Sequence, residues 1–383
     1  MMSAQDVRYS FVVDWYDAQA SLIRQYQFLF YPKDNSIEMY DIKNKTKFFS
    51  RSRIDSVNLT QLFLGNKINV CSRQLEIVDF GDEYTRKSLS ATQERTLAII
   101  KPDAIGSSGD IISLMESSTG LRISDARMVK LSKDQASNFY AEHKGKEFFD
   151  GLVDHMSSGP ILALALVGEN AVRAWRDLLG PTNPLEAKTS APNSIRGQFG
   201  SINPKNAAHG SDSGESSQRE LNFFFGPNSR LSTTASMGND NNATCAVVKP
   251  HIVLSGGFGQ VLTQIQEKGW NVTAIQLHNF ERANAEEFYE VYKEVVPEYE
   301  MMVAELCTGP CIALEVSSVG EDPATRFKKD VAGPRDPVIA KELEKGSVRA
   351  LFGNDKVRNA IHCTDLPDDT KLELTYMFQI LCE

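Results

Sequence analysis

The string Asn206-Ala-Ala-His209-Gly-Ser211-Asp212 returns in altered form as Asn359-Ala-Ile-His362-Cys-Thr364-Asp365. Each copy sets a His three residues after an Asn and two before a hydroxyl residue. Each has a Glu eleven positions beyond the His, at Glu220 and Glu373. One copy would constrain little, but two copies in similar surroundings require a domain that is built twice. The flanks agree. Thr96-Leu-Ala-Ile-Ile100 runs into Lys101-Pro102, and Thr244-Cys-Ala-Val-Val248 runs into Lys249-Pro250. Gly159-Pro160 opens the apolar run Ile161–Val167, and Gly309-Pro310 opens Cys311–Val316. Ser194-Ile-Arg196 and Ser347-Val-Arg349 each precede a Phe-Gly pair. Lys101 lies 108 positions before its His and Lys249 lies 113 before its own. The period is too long for a solenoid and marks a duplicated domain of about 135 to 140 residues.

Short apolar runs in these halves alternate with helical patterns at 110–117, 133–143 and 170–179, with a strand expected at 122–131. That order predicts α/β or α+β layers. Residues 227–243 have linker composition. Residues 1–88 read differently. Ser10–Trp15, Gln27–Tyr31, Ser36–Tyr40, Asn69-Val70 and Leu75–Asp79 carry aromatic and β-branched residues with partial alternation, broken by turn-like Pro32–Asn35 and Asp41–Lys45. A small β-sheet binding module is expected, followed by a polar linker from Tyr84 to Glu94.

At 383 residues the chain has room for two or three domains. A net charge of −9 argues against an extended nucleic-acid footprint but leaves room for a local basic cleft. No run of about 18 apolar residues occurs, and the N-terminus has no apolar signal core, so an intracellular, soluble protein without membrane contact is expected. Cys307 and Cys311 lack partners at zinc spacing and read as reduced core thiols.

Chemistry concentrates in the repeats. Imidazole is a competent neutral-pH nucleophile, since its ordinary pKa near ~6.5 leaves half or more of it uncharged. In the first repeat Lys101 ends a strand, Arg176 sits late in a helix, Thr182 follows Gly180-Pro181 and Arg196 precedes Phe199-Gly200. Three cations and a hydroxyl suit a polyphosphate, and Phe148 offers an apolar face for a base. A nucleophilic His beside them points to phosphoryl transfer through a phosphohistidine. Trp175 and Trp270 read as core fillers, His143 and His155 as surface helix residues, Asp103 and Asp110 as caps or turns. Glu286-Glu287 and Lys328-Lys329 read as solvated helix faces.

Residues 95–226 resemble a nucleoside diphosphate kinase. The strings that carry the resemblance are Glu94–Asp103, Phe148–Val153, Ser158–Pro160, Leu179–Pro184, Ser194–Gly197 and Asn206–Ser213. Residues 244–383 resemble the same family more loosely, and residues 1–88 resemble the DM-ten domain of ciliary proteins. The resemblance implies an α+β fold: two ferredoxin-like kinase domains at 94–226 and 244–383, each with an antiparallel four-stranded sheet, joined by a linker at 227–243 and preceded by a small PH-like β-rich domain at 1–88. It implies a phosphorylated His209, oriented by Glu220 and assisted by Ser211. Lys101, Tyr140, Arg176, Thr182 and Arg196 would hold phosphates, Lys101 and Asn206 the ribose, and Phe148 and Leu152 the base. Mg²⁺ would be held mainly by nucleotide phosphates, so no protein cage is expected. Partners would be nucleoside di- and triphosphates and, through the N-terminal domain, tubulin or axonemal microtubule proteins, in the cytoplasm, cytoskeleton and ciliary axoneme. Family members build dimers and hexamers; a tandem chain can meet the dimer contact internally.

The second repeat keeps Lys249, Tyr289, Arg349, Asn359, His362 and Glu373. Thr364 replaces the Ser, Arg335 stands where Thr182 does, and the Arg176 position falls on Lys328 or Lys329. The Phe148 region becomes Pro297-Glu-Tyr-Glu300. The second site is therefore expected to be weak or inactive. The Leu185–Asn193 loop is longer than in compact family members.

Overall fold

A computed structural model describes residues 7–382, except 55, 56, 72, 91, 238, 240, 241 and 321. The N-terminal strands β1 (Tyr9–Asp17), β2 (Leu22–Tyr31), β3 (Ser36–Asp41), β4 (Thr46–Arg53), β5 (Lys67–Val70) and β6 (Arg73–Phe80) form one antiparallel sheet in the order β4-β3-β2-β1-β6-β5. Its core gathers Phe11, Val13, Phe28, Phe30, Ile37 and Ile77. Strand β4 was not legible in the sequence. Nearly all its residues are exposed, so no inward face leaves an apolar alternation. The polar segment after Phe80 is also not a linker. Glu83–Leu89 is a helix capped by the Asp82 carboxylate, and its buried Thr85 hydroxyl accepts the Ser10 N–H at 2.8 Å.

Each repeat gives a four-stranded antiparallel sheet. The first holds β7 (Glu94–Ile100), β8 (Arg122–Val129), β9 (Ile161–Gly168) and β10 (Ala208–Gly210) in the order β10-β7-β9-β8. The second holds β11 (Ala243–Val248), β12 (Asn271–His278), β13 (Cys311–Ser317) and β14 (Ile361–Cys363) in the mirrored order β12-β13-β11-β14. β7, β9, β11 and β13 are buried almost throughout, which explains their unbroken apolar runs.

The two sheets join edge to edge where Arg127 of β8 pairs with Gln276 of β12, giving eight strands in one sheet rather than two separate fours. Beside the seam the helices Ser108–Thr119 and Phe258–Glu267 cross at reciprocal glycines. A Cβ on Gly109 would lie 2.4 Å from Thr263 N, and one on Gly259 would lie 2.2 Å from Ser113 N. The partner residues close the same contact. Gly109 N–H donates to Gln266 at 3.0 Å and Gly259 N–H to Glu116 at 2.9 Å. Burial pushes the Glu116 carboxyl up to about 7. Ile111, Ile112 and Met115 share one core with Val261, Leu262 and Ile265. The chain thus pairs its own repeats.

The remaining segments are docked. Residues 233–236 run from the first repeat to the second: Thr233 bridges Val129 of β8, the Thr234 hydroxyl donates to Thr273 O at 2.6 Å, and Ser236 N–H and Oγ donate to the buried Glu315 carboxylate. The N-terminal sheet precedes the first repeat in sequence but rests its β5–β6 edge on the second. Asn69 Nδ2 donates to Phe280 O and Cys307 O, and Gln74 Nε2 donates to Asn279 O. Cys311 is buried and Cys307 half-buried, both as free thiols. No helix among the described residues is long and apolar enough to cross a membrane.

Candidate active site

Strand β10 places His209 opposite Ile99 of β7. Two residues earlier Ala207 adopts the left-handed conformation, φ +66°, which strains a residue with a Cβ. The imidazole Nε2 lies 3.0 Å from Glu220 Oε2, and the buried Ser211 hydroxyl donates to the same oxygen at 2.7 Å. A carboxylate only accepts, so Nε2 carries the proton and Nδ1 keeps its lone pair. Glu220 comes from the helix Gly214–Phe225, whose N-terminus Ser213 caps. Trp175 is buried as expected, and it also donates Nε1–H to His209 O at 3.0 Å. Gly210 makes that approach possible, because a Cβ there would meet Trp175 Cδ1 at 2.4 Å.

Cations gather in the same repeat. Lys101 is buried and donates Nζ–H to Asn206 Oδ1 at 2.7 Å and Pro204 O at 3.2 Å. Burial and the neighbouring Arg196 push its pKa down to about 8. Arg196 donates to Gly180 O and Ala208 O, and burial and Arg176 push it down to about 10. Arg176 and Thr182 are exposed, and neither side chain has a recorded partner among the described residues. Each cation disfavours the charge of the next. That arrangement calls for an anion.

Aromatic rings lead outward from the imidazole. Tyr140 meets His209 edge-on at 5.8 Å, His143 stacks on Tyr140 at 6.1 Å, and Phe148 meets His143 at 5.6 Å. The Tyr140 hydroxyl is buried without a partner, and burial raises its pKa. Phe148 is 53% exposed at the start of the helix Phe149–Ser157, and Leu152 is buried one turn on. Contacts thus link Lys101, Asn206 and the Thr182 backbone on one side, and His209, Glu220, Ser211, Tyr140 and Phe148 on the other.

The second repeat reproduces the inner part. His362 Nε2 lies 3.0 Å from Glu373 Oε1, and Thr364 donates to Oε2 of the same carboxylate at 2.7 Å. Ala360 is left-handed, φ +72°. Arg349 donates to Gly333 O and Ile361 O as Arg196 does to its counterparts. The outer part differs. Arg335 pairs with Glu298 at 3.1 Å, joining the positions of Thr182 and Phe148. Lys328 Nζ lies 2.5 Å from Asp365 Oδ1, and Tyr292 donates to Oδ2 at 2.6 Å. Lys249 turns to Val357 O, leaving Asn359 Oδ1 buried and unpaired.

Several sequence-based expectations change here. A π-helical turn at Lys328–Ala332 inserts the extra residue that blurred the alignment, and it puts Lys328 in the place of Arg176. Lys328 is thus ion-paired rather than a freely solvated face. The Leu185–Asn193 segment is mostly the helix Pro184–Ser190, not a loop. His155 is no surface residue. It is buried and bonds Asp103 Oδ1 through Nε2 at 2.8 Å. Asp103 is no helix cap: its other oxygen accepts the Ala207 N–H at 3.1 Å. No local pattern marks that pair; the only sequence signal is that the second repeat carries His251 and Glu305 at the same two positions.

The family of this chain follows from these features together with direct comparison. The nucleoside diphosphate kinase family model matches residues 94–229 and 242–381, and the chain belongs to that family. Residues 3–91 match the model described as the nucleoside diphosphate kinase 7 N-terminal PH domain. Among its relatives is nucleoside diphosphate kinase homolog 7 of Mus musculus, 44% identical over 98% of this chain and 94% of the relative. The Rattus norvegicus protein of that name shows the same identity and coverage. Among solved structures, a nucleoside diphosphate kinase of Aquifex aeolicus is 45% identical, with a TM-score of 0.34, covering 35% of this chain and 95% of its own.

Proposed function

We propose that the first kinase domain transfers the γ-phosphate of a nucleoside triphosphate to a nucleoside diphosphate through a phosphohistidine on His209. The observation that carries this is the imidazole held by Glu220 through Nε2, which leaves the Nδ1 lone pair free in a repeat whose Lys101, Arg196 and Arg176 lie close enough to disfavour one another's charge. Nδ1 attacks the γ-phosphorus in line, the bond to the bridging oxygen breaks, and the diphosphate leaves. The second nucleotide reverses the step. Glu220 stabilises the charge that the ring gains, and Ser211 fixes Glu220. Lys101, Arg176, Arg196, Thr182 and Tyr140 bind phosphate oxygens, Lys101 and Asn206 the ribose, and Phe148 and Leu152 the base. Positioning and charge stabilisation supply most of the acceleration. The donor set at the cleft consists of N–H and O–H groups, suited to phosphate oxygens rather than to a cation. Mg²⁺ therefore fits as a group carried by the nucleotide, where it would neutralise phosphate charge.

The test is incubation of the chain with γ-labelled ATP beside His209→Ala and His362→Ala. Acid-labile, alkali-stable label lost only in His209→Ala is the expected result. Label that persists on His209→Ala would sink the assignment.

A second reading adds a structural role. Residues 1–88 resemble a domain of ciliary proteins, and the second site is bridged by its own ion pairs. In this reading the chain sits on axonemal microtubules through tubulin or an associated protein, as a scaffold with one working site in the cytoskeleton. Pelleting of the full chain with doublet microtubules at micromolar concentration supports it; failure to pellet removes it.

A further inference from the structure

The two repeats hold one part-buried acid–His pair in opposite orientation. In the first, Asp103 follows Lys101-Pro102 and meets His155 of the helix Phe149–Ser157 at 2.8 Å. In the second, His251 follows Lys249-Pro250 and its Nδ1 meets Glu305 of the helix Tyr299–Leu306 at 2.6 Å. Either orientation ties the turn to the helix, so the tie itself does not explain why the acid lies on the turn in the first repeat.

The difference falls on the strained residue before the His. Asp103 has a second oxygen, and it accepts the N–H of Ala207 at 3.1 Å. The Ala207 carbonyl is held from the other side by Lys101 N–H at 2.8 Å. A left-handed Ala is strained and persists only where its surroundings fix it. Here both ends of the residue are fixed. In the second repeat the Ala360 carbonyl is held by Lys249 N–H at 2.9 Å, but its N–H finds no partner among the described residues. His251 does not supply one: Nδ1 is engaged with Glu305, and Nε2 is buried without a partner.

We infer that Asp103, oriented by His155, is a positioning residue for the reaction: it locks the Ala207 peptide, and with it Asn206 and His209 on either side. The reversed pair in the second repeat keeps the packing and gives up the lock. This rests on the proposed phosphohistidine reading. His155 and the Ala207 N–H hold the Asp103 carboxyl below the usual range despite its burial, so it is a full acceptor at neutral pH.

The test copies the second repeat into the first as Asp103→His with His155→Glu, a pair this fold already accommodates. Asp103→Asn serves as the conservative variant, since an amide oxygen still accepts the Ala207 N–H. The expected result for the swapped pair is a phosphorylation rate from γ-labelled ATP lower by about 10²-fold, the cost of a ~1 Å misplacement. Its half-saturating nucleotide concentration should stay within about twofold, the pattern of an interaction needed only in the transition state. Asp103→Asn should recover most of the rate. In the same proteins, exchange of the Ala207 amide hydrogen should be at least about tenfold faster in the swapped pair than in the wild type. A wild-type rate in the swapped pair overturns the inference, and so does unchanged Ala207 exchange. A wild-type chain that takes no label overturns the kinase reading instead, and the exchange result then decides the lock alone.

Discussion

Both repeats set a His against a Glu at 3.0 Å, beside a left-handed Ala and an Arg, yet the first His is the more exposed of the two. The His209 side chain is 19% exposed and that of His362 7%. In the first repeat Arg176 and Thr182 keep their donors for a ligand. In the second their counterparts are taken by carboxylates of the same chain, Lys328 by Asp365 and Arg335 by Glu298. In the proposed reading those carboxylates take the place of the polyphosphate, and a duplicated site loses its ligand without losing its fold because the change lies in the outer residues.

The strongest way to break this comparison is to remove the same lysine from each half. Lys101→Met should lower the rate of labelling by about 10²-fold, as expected for a cation aimed at transition-state charge. Lys249→Met should leave it unchanged, and an equal loss from both would show two working sites. A pH series sharpens the point. Lys101 is pushed down to about 8, so its charge is lost as pH rises through that value. Nucleotide affinity should then fall by up to about tenfold per unit above pH 8, and the slope should vanish in Lys101→Met. A smaller effect is expected from opening the second cleft. Arg335→Thr with Glu298→Phe restores the first repeat's residues there, and equilibrium dialysis with a non-hydrolysable ATP analogue should rise from about one to about two sites per chain by independent-site counting. Stoichiometry that stays at one would show that the inner residues also exclude the ligand.

The smallest effect concerns the seam that joins the halves. Glu116 caps the second repeat's helix, and burial raises its pKa to about 7 in the folded chain, above the unfolded value. A raised carboxyl binds its proton more tightly in the fold. Its contribution is therefore full below the unfolded pKa, near ~4.3, and is lost as pH rises towards about 7. Glu116→Gln, which copies Gln266 on the other side, should flatten the change of Tm between pH 5 and 7 by a few degrees at most. Calorimetry of the two proteins checks this.

Much of the site was legible in the chain because its parts lie on short rigid strings. Lys-Pro after an apolar strand, Asn-x-x-His, and Glu eleven residues on each encode a local geometry that few other sequences share. The Asp103–His155 pair lies 52 positions apart in the chain, and neither residue sits in a pattern that distinguishes a buried partner from a surface one. Lys328 was ambiguous for a related reason, since a π-helical turn changes the register that sequence alignment assumes. Strand β4 escaped notice because its residues are exposed, and periodicity reports burial rather than hydrogen bonding.

The sequence by itself determined that one domain is built twice, that each copy layers strands and helices, and that a Glu eleven residues on accompanies each His. Those are matters of apolar periodicity and short spacing, which act within a few residues. Only the tertiary structure decided that the two sheets fuse at Arg127 and Gln276, that the N-terminal sheet leans on the repeat farther along the chain, and that the second cleft is bridged by its own charges. Each of these depends on groups brought together from distant positions, where close approach at a glycine or a matched pair of charges sets the outcome and local propensity carries no trace of it.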